Sequence, residues 1–337
     1  MNGPGARLRA AEGRALGTAS PWVAAIVVNW NGAGETIACL DSLSHSRGVA
    51  CRVYVVDNAS RDGSAARIAT AHPAATIVRA PRNLGYAGAL NLGWAQALAD
   101  GAGYVWFLNN DVLVEPHTLA RLVEADRAWG PGIYSSKILY RDRPELVWYA
   151  GGYLDWNLKS HHLGLGQPDG EGQDTTVHRV AWASGCALFC STDVLRHVGP
   201  LDERYFLYLE DVDWCLQAGK RGVPTYLVPD SRLYHGISRS VERLDQRLVR
   251  YYAWRNYYLL VRRHGRWWQR LYGAADLASR FVKIALRQAF FPEYRFDALY
   301  HARTRGLMDC VLGRFGQGRL PGGPPPRVER QHEGSAA

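Results

Sequence analysis

The sequence predicts an α/β fold in which a mostly parallel sheet is flanked by helices and followed by a C-terminal helical extension. Three observations support this prediction. A chain of 337 residues with 47% hydrophobic and 21% charged residues is globular and long enough to bury a substantial core. Apolar runs alternate with amphipathic segments four times between positions 23 and 128, which is typical of a parallel sheet covered by helices. Basic and aromatic residues are concentrated near the C-terminus, in a segment of different character.

Four β-α units account for the first part of the chain. The predicted strands are Val23–Val28, Arg52–Val56, Thr76–Val78 and Tyr104–Leu108. The predicted helices are Glu35–Ser44, Gly63–Ala71, Ala87–Leu98 and His117–Ala128, the last of which follows Pro116.

The second part of the chain is less regular. Between Ile133 and Val180 we expect short strands and loops, followed by these elements: a strand-like run at Val180–Phe189, a helix at Asp211–Gly219, a strand at Thr225–Val228, and helices at Val241–Arg263 and Leu271–Phe290. The domain organisation predicted from these elements is a disordered leader at 1–20, an α/β domain at 21–240, a helical extension at 241–315 and a disordered tail at 316–337.

Polar side chains interrupt the apolar pattern at the ends of the strands. The stretch "VWFLNNDVLV" stops a buried run at two amides and a carboxylate, although an unpaired buried polar group costs about 1–3 kcal/mol. Ligands of parallel sheets sit at the carboxyl ends of the strands. The polar residues at this edge are Asn29, Asn31, Asp57, Asn58, Arg82, Asn83, Asn109, Asn110 and Asp111.

This edge suits a sugar nucleotide, whose diphosphate needs a divalent cation or basic groups. Mg²⁺ and Mn²⁺ prefer oxygen ligands, so Asp111 is a candidate metal ligand, and Asn109 and Asn110 are candidates for binding ribose or sugar hydroxyls. An Asx-turn that leads the chain into Val112 is the structural alternative. A neutral imidazole at His235 is a further candidate ligand for the cation.

A second acidic cluster opens a predicted helix in "YFLYLEDVDWCLQAGKRG". This cluster contains three carboxylates within four residues, Glu210, Asp211 and Asp213. A favourable interaction with the helix N-terminus would account for one of them but does not require all three. A carboxylate at this position could act as the general base that takes the proton of an acceptor hydroxyl.

Two other nucleotide-binding classes fit the sequence less well. Gly32 and Gly34 begin a G-x-G pattern, and Asp57 lies near the spacing of a ribose-binding acid in NAD-type enzymes, but Ile37 occupies the place of the third glycine. A sugar-1-phosphate nucleotidyltransferase needs a basic, glycine-rich loop after the first strand, and "NWNGAGET" contains no basic residue.

Six segments together resemble the glycosyltransferase family 2 enzymes of the GT-A fold, especially their bacterial rhamnosyltransferase-like members. They are "VVNWNG", "VVDNASRDGS", "NLGYAGALNLG", "FLNNDV", "GPLDERYFLYLEDVDWCLQ" and "YHGIS", which occur in the expected order between Val23 and Ser240. The resemblance implies an inverting enzyme of the hexosyltransferase class that uses a dTDP-rhamnose or UDP-hexose donor. It also implies an acceptor hydroxyl on a saccharide or a polyprenyl-linked saccharide in cell-surface glycan synthesis.

The resemblance also implies roles for individual positions. Asp211 would be the catalytic base, with Glu210 as the fallback, and Asp111 and His235 would bind Mg²⁺ or Mn²⁺. Asn109 replaces the first acid of the family's D-x-D motif, which weakens the expected grip on the metal. The donor would be held by Asn31, Asp57, Asn58, Arg82, Asn83, Gly85, Asn109 and Asn110, with Asp57 reading the pyrimidine. The acceptor side would be formed by Trp182, Ser184, Gly185 and Asp213.

The C-terminal segment is strongly basic. Residues 250–320 contain 14 Lys/Arg against 4 Asp/Glu, within a chain of net charge +9. Arg280, Lys283 and Arg287 fall on one helical stripe beside apolar residues, a pattern typical of a helix at a membrane interface. A helical subdomain that packs on the core with a solvated basic face is the alternative.

We therefore expect peripheral contact with an anionic membrane and a cytoplasmic location at the inner face of the cell membrane. A nucleic-acid-binding protein is the rival class, but the carboxylates at 210–213 would repel phosphate, so we expect no nucleic acid partner. The six cysteines form no C-x-x-C pair, which favours free thiols in a reducing compartment.

Overall fold

The computed structural model describes residues 22–170, 175–236, 246–291 and 297–318. The predicted leader at 1–20 and most of the predicted tail at 316–337 lie outside the described residues. Twelve strands and nine helices make up the described part of the chain.

The N-terminal half alternates strands and helices as predicted. Its strands are β1 (Val23–Asn29), β2 (Cys51–Asp57), β3 (Thr76–Arg79), β4 (Tyr104–Asn109), β5 (Val112–Val114) and β6 (Ile133–Tyr140). Its helices are α1 (Ala33–Ser44), α2 (Ser64–Ala71), α3 (Gly85–Ala99) and α4 (Thr118–Trp129).

The C-terminal half begins with short strands and ends in long helices. The strands are β7 (Val147–Tyr149), β8 (Gly152–Leu154), β9 (Ser160–His162), β10 (His178–Arg179), β11 (Ala187–Ser191) and β12 (Thr225–His235). The helices are α5 (Thr192–Val198), α6 (Glu210–Lys220), α7 (Gln246–His264), α8 (Trp267–Phe290) and α9 (Ala298–Val311).

One mixed sheet forms the centre of the molecule, with strand order β10-β12-β6-β11-β4-β1-β2-β3. Strands β4, β1, β2 and β3 are parallel, as the four β-α units predicted. Strand β11 is antiparallel to both β4 and β6, so the second half of the sheet is mixed. All seven residues of β1 are buried, as expected for a central strand that is covered on both faces.

Two predicted strands were wrong in extent. The run Val180–Phe189 does not form one strand, because the chain turns at Ser184, whose carbonyl accepts a hydrogen bond from the Ala187 amide, and the strand begins only at Ala187. Strand β12 does not stop at Val228 but continues to His235 across a shift in its pairing with β6. His235 is therefore the last residue of a strand, not part of a following loop.

The C-terminal helices pack on the core of the α/β domain. Leu259 and Leu260 of α7 belong to the main hydrophobic core, and Tyr258 of α7 packs in a second cluster with Tyr300 and Leu307 of α9. The predicted helix start at Val241 lies outside the described residues, and α8 starts four residues earlier than predicted. The helix α9 was not predicted. In the described part of the chain no helix combines the length and the apolar composition needed to cross a bilayer.

All six cysteines are free thiols, and five of them are buried. Burial raises the pKa of Cys215 to about 12 and that of Cys310 to about 11, so these thiols stay protonated at neutral pH. They behave as small core side chains and not as nucleophiles.

Candidate active site

A buried network of polar side chains closes the carboxyl ends of β1 and β2. The amide of Asn29 donates to the Asp57 carboxylate at 3.0 Å and to the Ser60 hydroxyl at 3.1 Å, and Asn29 Oδ1 accepts from the Thr36 hydroxyl at 2.9 Å. Asn110 donates to the same Thr36 hydroxyl at 3.1 Å, which connects the end of β4 to this network. Asp57 is thereby fixed at the end of β2 with 6% of its surface exposed.

The loop before α3 is held by two asparagines. Asn58 donates to Asn83 Oδ1 and to the Gly85 carbonyl, both at 3.1 Å, and it accepts from the Leu84 amide at 2.8 Å. Gly85 has φ of +74°, and a Cβ there would collide with the backbone oxygen of Phe206. Only glycine allows this close approach, so the loop before α3 and the loop before α6 are packed against each other.

Asp111 and His235 lie side by side at the end of the sheet. His235 Nε2 is 3.0 Å from Asp111 Oδ1 and 3.3 Å from the amide nitrogen of Asn109. Both Asp111 and His235 are buried, with 4% and 7% of their surfaces exposed. The contact arises because β5 and β12 pair in antiparallel fashion, which sets Val112 opposite His235. The ring of Trp148 packs against His235 with a centroid distance of 4.7 Å.

The second acidic cluster starts helix α6. Asp211 is partly exposed, and its carboxylate accepts from the Gly185 amide and from its neighbour's amide at Val212, both at 2.8 Å. Burial raises the pKa of Asp211, while these two amides act in the opposite direction by stabilising the ionised form. Burial, and then the charge of Asp211, raise the pKa of Glu210 to about 8. Two amides therefore favour the ionised form of Asp211, whereas Glu210 Oε2 has no hydrogen-bond partner among the described residues.

Tyr86 connects the two acidic clusters. Its hydroxyl donates to the Gly185 carbonyl at 2.9 Å, next to Asp211. Its pKa is raised well above the usual range, first by burial and then by the charges of nearby groups that include Asp211 and Asp111. The Cys186 thiol has its pKa raised in the same way by burial, Asp111 and Asp211. The Gly185 amide donates to Asp211, and the carbonyl of the next residue, Cys186, accepts from the Asn109 amide at 3.2 Å, so adjacent residues connect the start of α6 to the end of β4. We call the region between these two ends the cleft.

The N-terminal part of the chain matches the model of a known protein family. Residues 24–178 match the family model described as Glycosyl transferase family 2. This part of the chain is similar to glycosyl transferase family 2. This match covers the parallel strands β1 to β4 and confirms the family resemblance and the predicted glycosyltransferase activity.

Two curated relatives of this chain are rhamnosyltransferases. An N-acetylglucosaminyl-diphospho-decaprenol L-rhamnosyltransferase of Mycobacterium tuberculosis is 29% identical over 275 residues, which cover 74% of this chain and 89% of the relative. The dTDP-rhamnosyl transferase RfbF of Shigella flexneri is 27% identical over 226 residues, which cover 64% of this chain and 72% of the relative.

A solved structure supports the predicted GT-A fold. The mannosyltransferase PcManGT from Pyrobaculum calidifontis, in complex with GDP-Man and Mn²⁺, superposes with a TM-score of 0.52 at 18% identity, covering 88% of each chain. At this identity the likeness concerns the fold alone. The predicted fold class is confirmed.

The residues at the end of β4 and β12 fit a divalent cation that is shared with a substrate. Asp111 Oδ1 and His235 Nε2 are adjacent potential metal ligands, and Asn109 lies next to them with its amide nitrogen toward His235. Within the described residues there is no group of three His, Cys, Asp or Glu side chains that could hold a metal alone. Mg²⁺ commonly completes a sparse protein site with phosphate oxygens, so the glycosyltransferase would share the cation with its diphosphate.

Several predicted acceptor residues do not line the cleft. Asp213 is 1% exposed, and its carboxylate accepts from the Tyr205 hydroxyl at 2.8 Å and lies 2.7 Å from His264 Nε2. This carboxylate joins α6 to the end of α7, so Asp213 is structural. Trp182 is also buried, and its ring nitrogen donates to the Tyr153 carbonyl at 3.2 Å. Ser184 and Gly185 are buried too, although the Gly185 amide contacts Asp211 directly.

Of the other residues that were predicted to bind the donor sugar nucleotide, some are buried and some lie at the surface. Arg82 and Asn31 are exposed, so they are accessible to a ligand. Asn31 has φ of +51°, and its side-chain oxygen accepts from the Arg61 amide at 2.8 Å. Gly32, whose position suggested a dinucleotide motif, lies against Asn110, because a Cβ there would be 2.9 Å from the Asn110 amide nitrogen.

Sequence reasoning missed three residues of the cleft. Tyr86 lies inside the segment "NLGYAGALNLG", but the family resemblance implies no role for it. Trp148 and His162 lie in the irregular region, where no periodic pattern marks them, and their rings pack edge to face with a centroid distance of 4.5 Å. Burial, together with other groups that include His235, lowers the pKa of His162, so its ring is neutral near pH 7.

Proposed function

We propose that this protein transfers rhamnose from dTDP-rhamnose to a hydroxyl of a saccharide linked to a polyprenyl diphosphate. The names of the curated relatives supply the donor and acceptor classes. A UDP-hexose is the other donor that a pyrimidine-reading Asp57 would admit. The observation that supports the proposal is that Gly185 and Cys186 contact both candidate clusters, since the Gly185 amide donates to Asp211 and the Cys186 carbonyl accepts from the Asn109 amide.

The donor nucleotide would lie along the ends of β1, β2 and β4. Asp57 would accept a hydrogen bond from the pyrimidine, and the amide network around Asn29 keeps its carboxylate in place. Seven further residues would complete the donor site, either by contacting the nucleotide sugar or by holding the loops around it. They are Asn31, Asn58, Arg82, Asn83, Gly85, Asn109 and Asn110. Arg82 is the basic group of this set, and it suits the charge of the diphosphate.

Asp211 is the proposed general base, with Glu210 as the alternative. The acceptor oxygen forms a bond to the anomeric carbon while the bond from that carbon to the diphosphate oxygen breaks. The hydroxyl proton passes to a carboxylate oxygen of Asp211, and the electron pair leaves with the nucleoside diphosphate. One displacement of this kind inverts the anomeric configuration.

Asp111 and His235, with help from Asn109, would hold Mg²⁺ or Mn²⁺. The bound cation would supply positive charge that offsets the charge of the leaving diphosphate. The neutral amide of Asn109 contributes no charge, so we expect weaker metal binding than two carboxylates would give.

The helix α8 is the proposed membrane contact. One side of this helix carries five large apolar side chains that are all more than half exposed: Trp267, Leu271, Val282, Leu286 and Phe290. The flanking side chains of Lys283 and Arg287 are exposed as well. An apolar stripe with cations beside it suits an anionic bilayer surface, where a lipid-linked acceptor resides. The protein would therefore work at the inner face of the cell membrane.

Sedimentation with vesicles tests this membrane contact. Wild-type protein should pellet with phosphatidylglycerol vesicles and less with phosphatidylcholine vesicles, and added salt should weaken the binding. The double variant L271E/V282E should lose most of the binding, whereas W129E, which changes an exposed tryptophan on α4, should not. Equal binding by both variants would contradict the role of α8.

A thermal-shift panel tests the proposed function. We expect dTDP or UDP to raise the melting temperature, and Mn²⁺ to increase the effect, while GDP and NAD leave it unchanged. Ligand at a hundredfold excess over Kd stabilises by about 2.7 kcal/mol. The variant D57A should lose the response, and D142A, at an exposed carboxylate, should keep it. Stabilisation by NAD alone would exclude the proposal.

Transfer itself is tested by mass spectrometry of a GlcNAc-diphospho-polyprenol acceptor incubated with dTDP-rhamnose. We expect the acceptor to gain the mass of one deoxyhexose. An unchanged acceptor, under conditions where dTDP stabilises the protein, would contradict the assigned acceptor.

A further inference from the structure

The loop that leads into the proposed base has a strained backbone. Phe206, Tyr208 and Leu209 all have positive φ, at 63°, 70° and 68°, and none of them is glycine. Each such residue costs about 1–3 kcal/mol and persists only where surrounding contacts hold it. Asp211 follows Leu209 by two residues, so the shape of this loop sets the position of the base.

Helix α7 holds this loop from one side through two buried side chains, of which Asn256 contacts the strained residues. Asn256 is 0% exposed, and its Nδ2 donates toward three carbonyl oxygens of the loop. The distances are 2.9 Å to Tyr205, 2.8 Å to Leu207 and 2.8 Å to Tyr208. These contacts stabilise the carbonyls around the strained residues.

Arg255 orients the amide of Asn256. Its Nε donates to Asn256 Oδ1 at 2.9 Å, which turns the amide nitrogen toward the loop. Its Nη2 donates to the carbonyls of Arg204 and Tyr205 at 3.0 Å and 2.9 Å. The guanidinium is itself fully buried and lies over the ring of Tyr252, 4.8 Å from its centroid.

Helix α3 holds the same loop from the opposite side. The Tyr86 amide donates to the Phe206 carbonyl at 2.6 Å, and Gly85 approaches the same residue closely. The loop is therefore fixed between the donor side of the cleft and the C-terminal extension. A change in α7 would be transmitted to Asp211 through the loop backbone.

We propose that Asn256 is a positioning residue that holds the loop before Asp211 and so makes the C-terminal extension necessary for catalysis. This inference rests on the proposed function, in which Asp211 is the base. A misplacement of a catalytic group by about 1 Å can reduce the rate by about a hundredfold, so loosening the loop should act on kcat.

The test compares N256A with Y257F, its neighbour on α7. The Tyr257 hydroxyl donates to the Asn157 carbonyl at 3.1 Å, a contact that is remote in sequence from the loop at 204–209. We measure kcat and KM for dTDP-rhamnose, the melting temperature, and the stabilisation by dTDP. We expect N256A to lower kcat by about tenfold or more while KM and the dTDP response change by less than about twofold. Y257F should keep kcat within about threefold.

Equal values of kcat in folded N256A and Y257F would overturn the proposal. If N256A does not fold, the variant N256S is measured in its place. N256S retains one hydrogen-bond donor but cannot reach all three loop carbonyls, so we expect the same loss in kcat. Failure of both variants to fold would mark Asn256 as a purely structural residue and would also overturn the proposal. An inactive wild-type protein would instead contradict the proposed function, so the two failures are distinguishable.

Discussion

The carboxyl of Glu210 should make the stability of the protein depend on pH in a way that one substitution removes. Glu210 is 5% exposed, and its Oε2 is buried without a hydrogen-bond partner among the described residues. Burial, with the charge of Asp211 next to it, raises its pKa from 4.5 to about 8. In the unfolded chain the same carboxyl ionises near its ordinary value.

The sign follows from the protons bound in each state. Between pH 4.5 and pH 8 the folded protein keeps a proton on Glu210 that the unfolded chain has lost. Raising the pH through this window therefore favours unfolding, by about 1.4 kcal/mol per pH unit from this group. The loss across the window is about 5 kcal/mol at most, and it is complete once the folded carboxyl ionises above pH 8.

The substitution E210Q keeps the size of the side chain and removes the titration. We expect the variant and the wild type to have similar stability at pH 5, and the variant to become more stable as the pH approaches 8. A difference of about 5 kcal/mol would separate the melting temperatures by roughly 10 °C in a protein of this size.

Urea unfolding at pH 5, 6, 7 and 8 measures this difference, with E124Q as the control at an exposed glutamate of α4. E124Q should follow the wild type at every pH. A gap between E210Q and the wild type that stays constant from pH 5 to pH 8 would refute the reasoning.

Three further substitutions test the cleft. D211N should abolish sugar transfer and leave stabilisation by dTDP nearly intact, so transfer at the wild-type rate would show that Asp211 is not the base. N109D adds a carboxylate beside His235 and should lower the Mn²⁺ concentration needed for half-maximal stabilisation by about tenfold; an unchanged metal requirement would argue against metal binding there. G85A should lose about 3 kcal/mol of stability, because of its positive φ and its collision with Phe206. The control G34A has open space around it, and equal stability of both variants would contradict the close packing of the two loops.

The parallel half of the sheet could be predicted because its strands are buried on both faces. Such strands are continuous apolar runs, and the polar residues that end them mark the ligand-binding edge. Asp57 and Asp111 stand out from sequence for this reason. His235 was a candidate ligand from sequence, and its strand was predicted to end seven residues too early, at Val228.

The acceptor side could not be predicted because its contacts join distant parts of the chain. Asp213 looks like its neighbours Glu210 and Asp211 in sequence. In the structure, however, the first turn of α6 turns the Asp213 side chain toward His264 of α7 and away from the cleft. The role proposed for Asn256 depends on contacts across 48 to 51 residues, and no local pattern reveals them. Strands of two or three residues between 147 and 179 are likewise defined by their partners and not by periodicity.

The central claim is that the nucleotide diphosphate, its cation and the base occupy one cleft at the carboxyl ends of the strands. Anomalous scattering from Mn²⁺ in crystals grown with dTDP tests this claim most directly. We expect one peak at about 2.1–2.4 Å from Asp111 Oδ1 and His235 Nε2, with the diphosphate bound to it and the cleft open toward Asp211. A manganese peak with bound dTDP at any other place on the molecule would contradict the account.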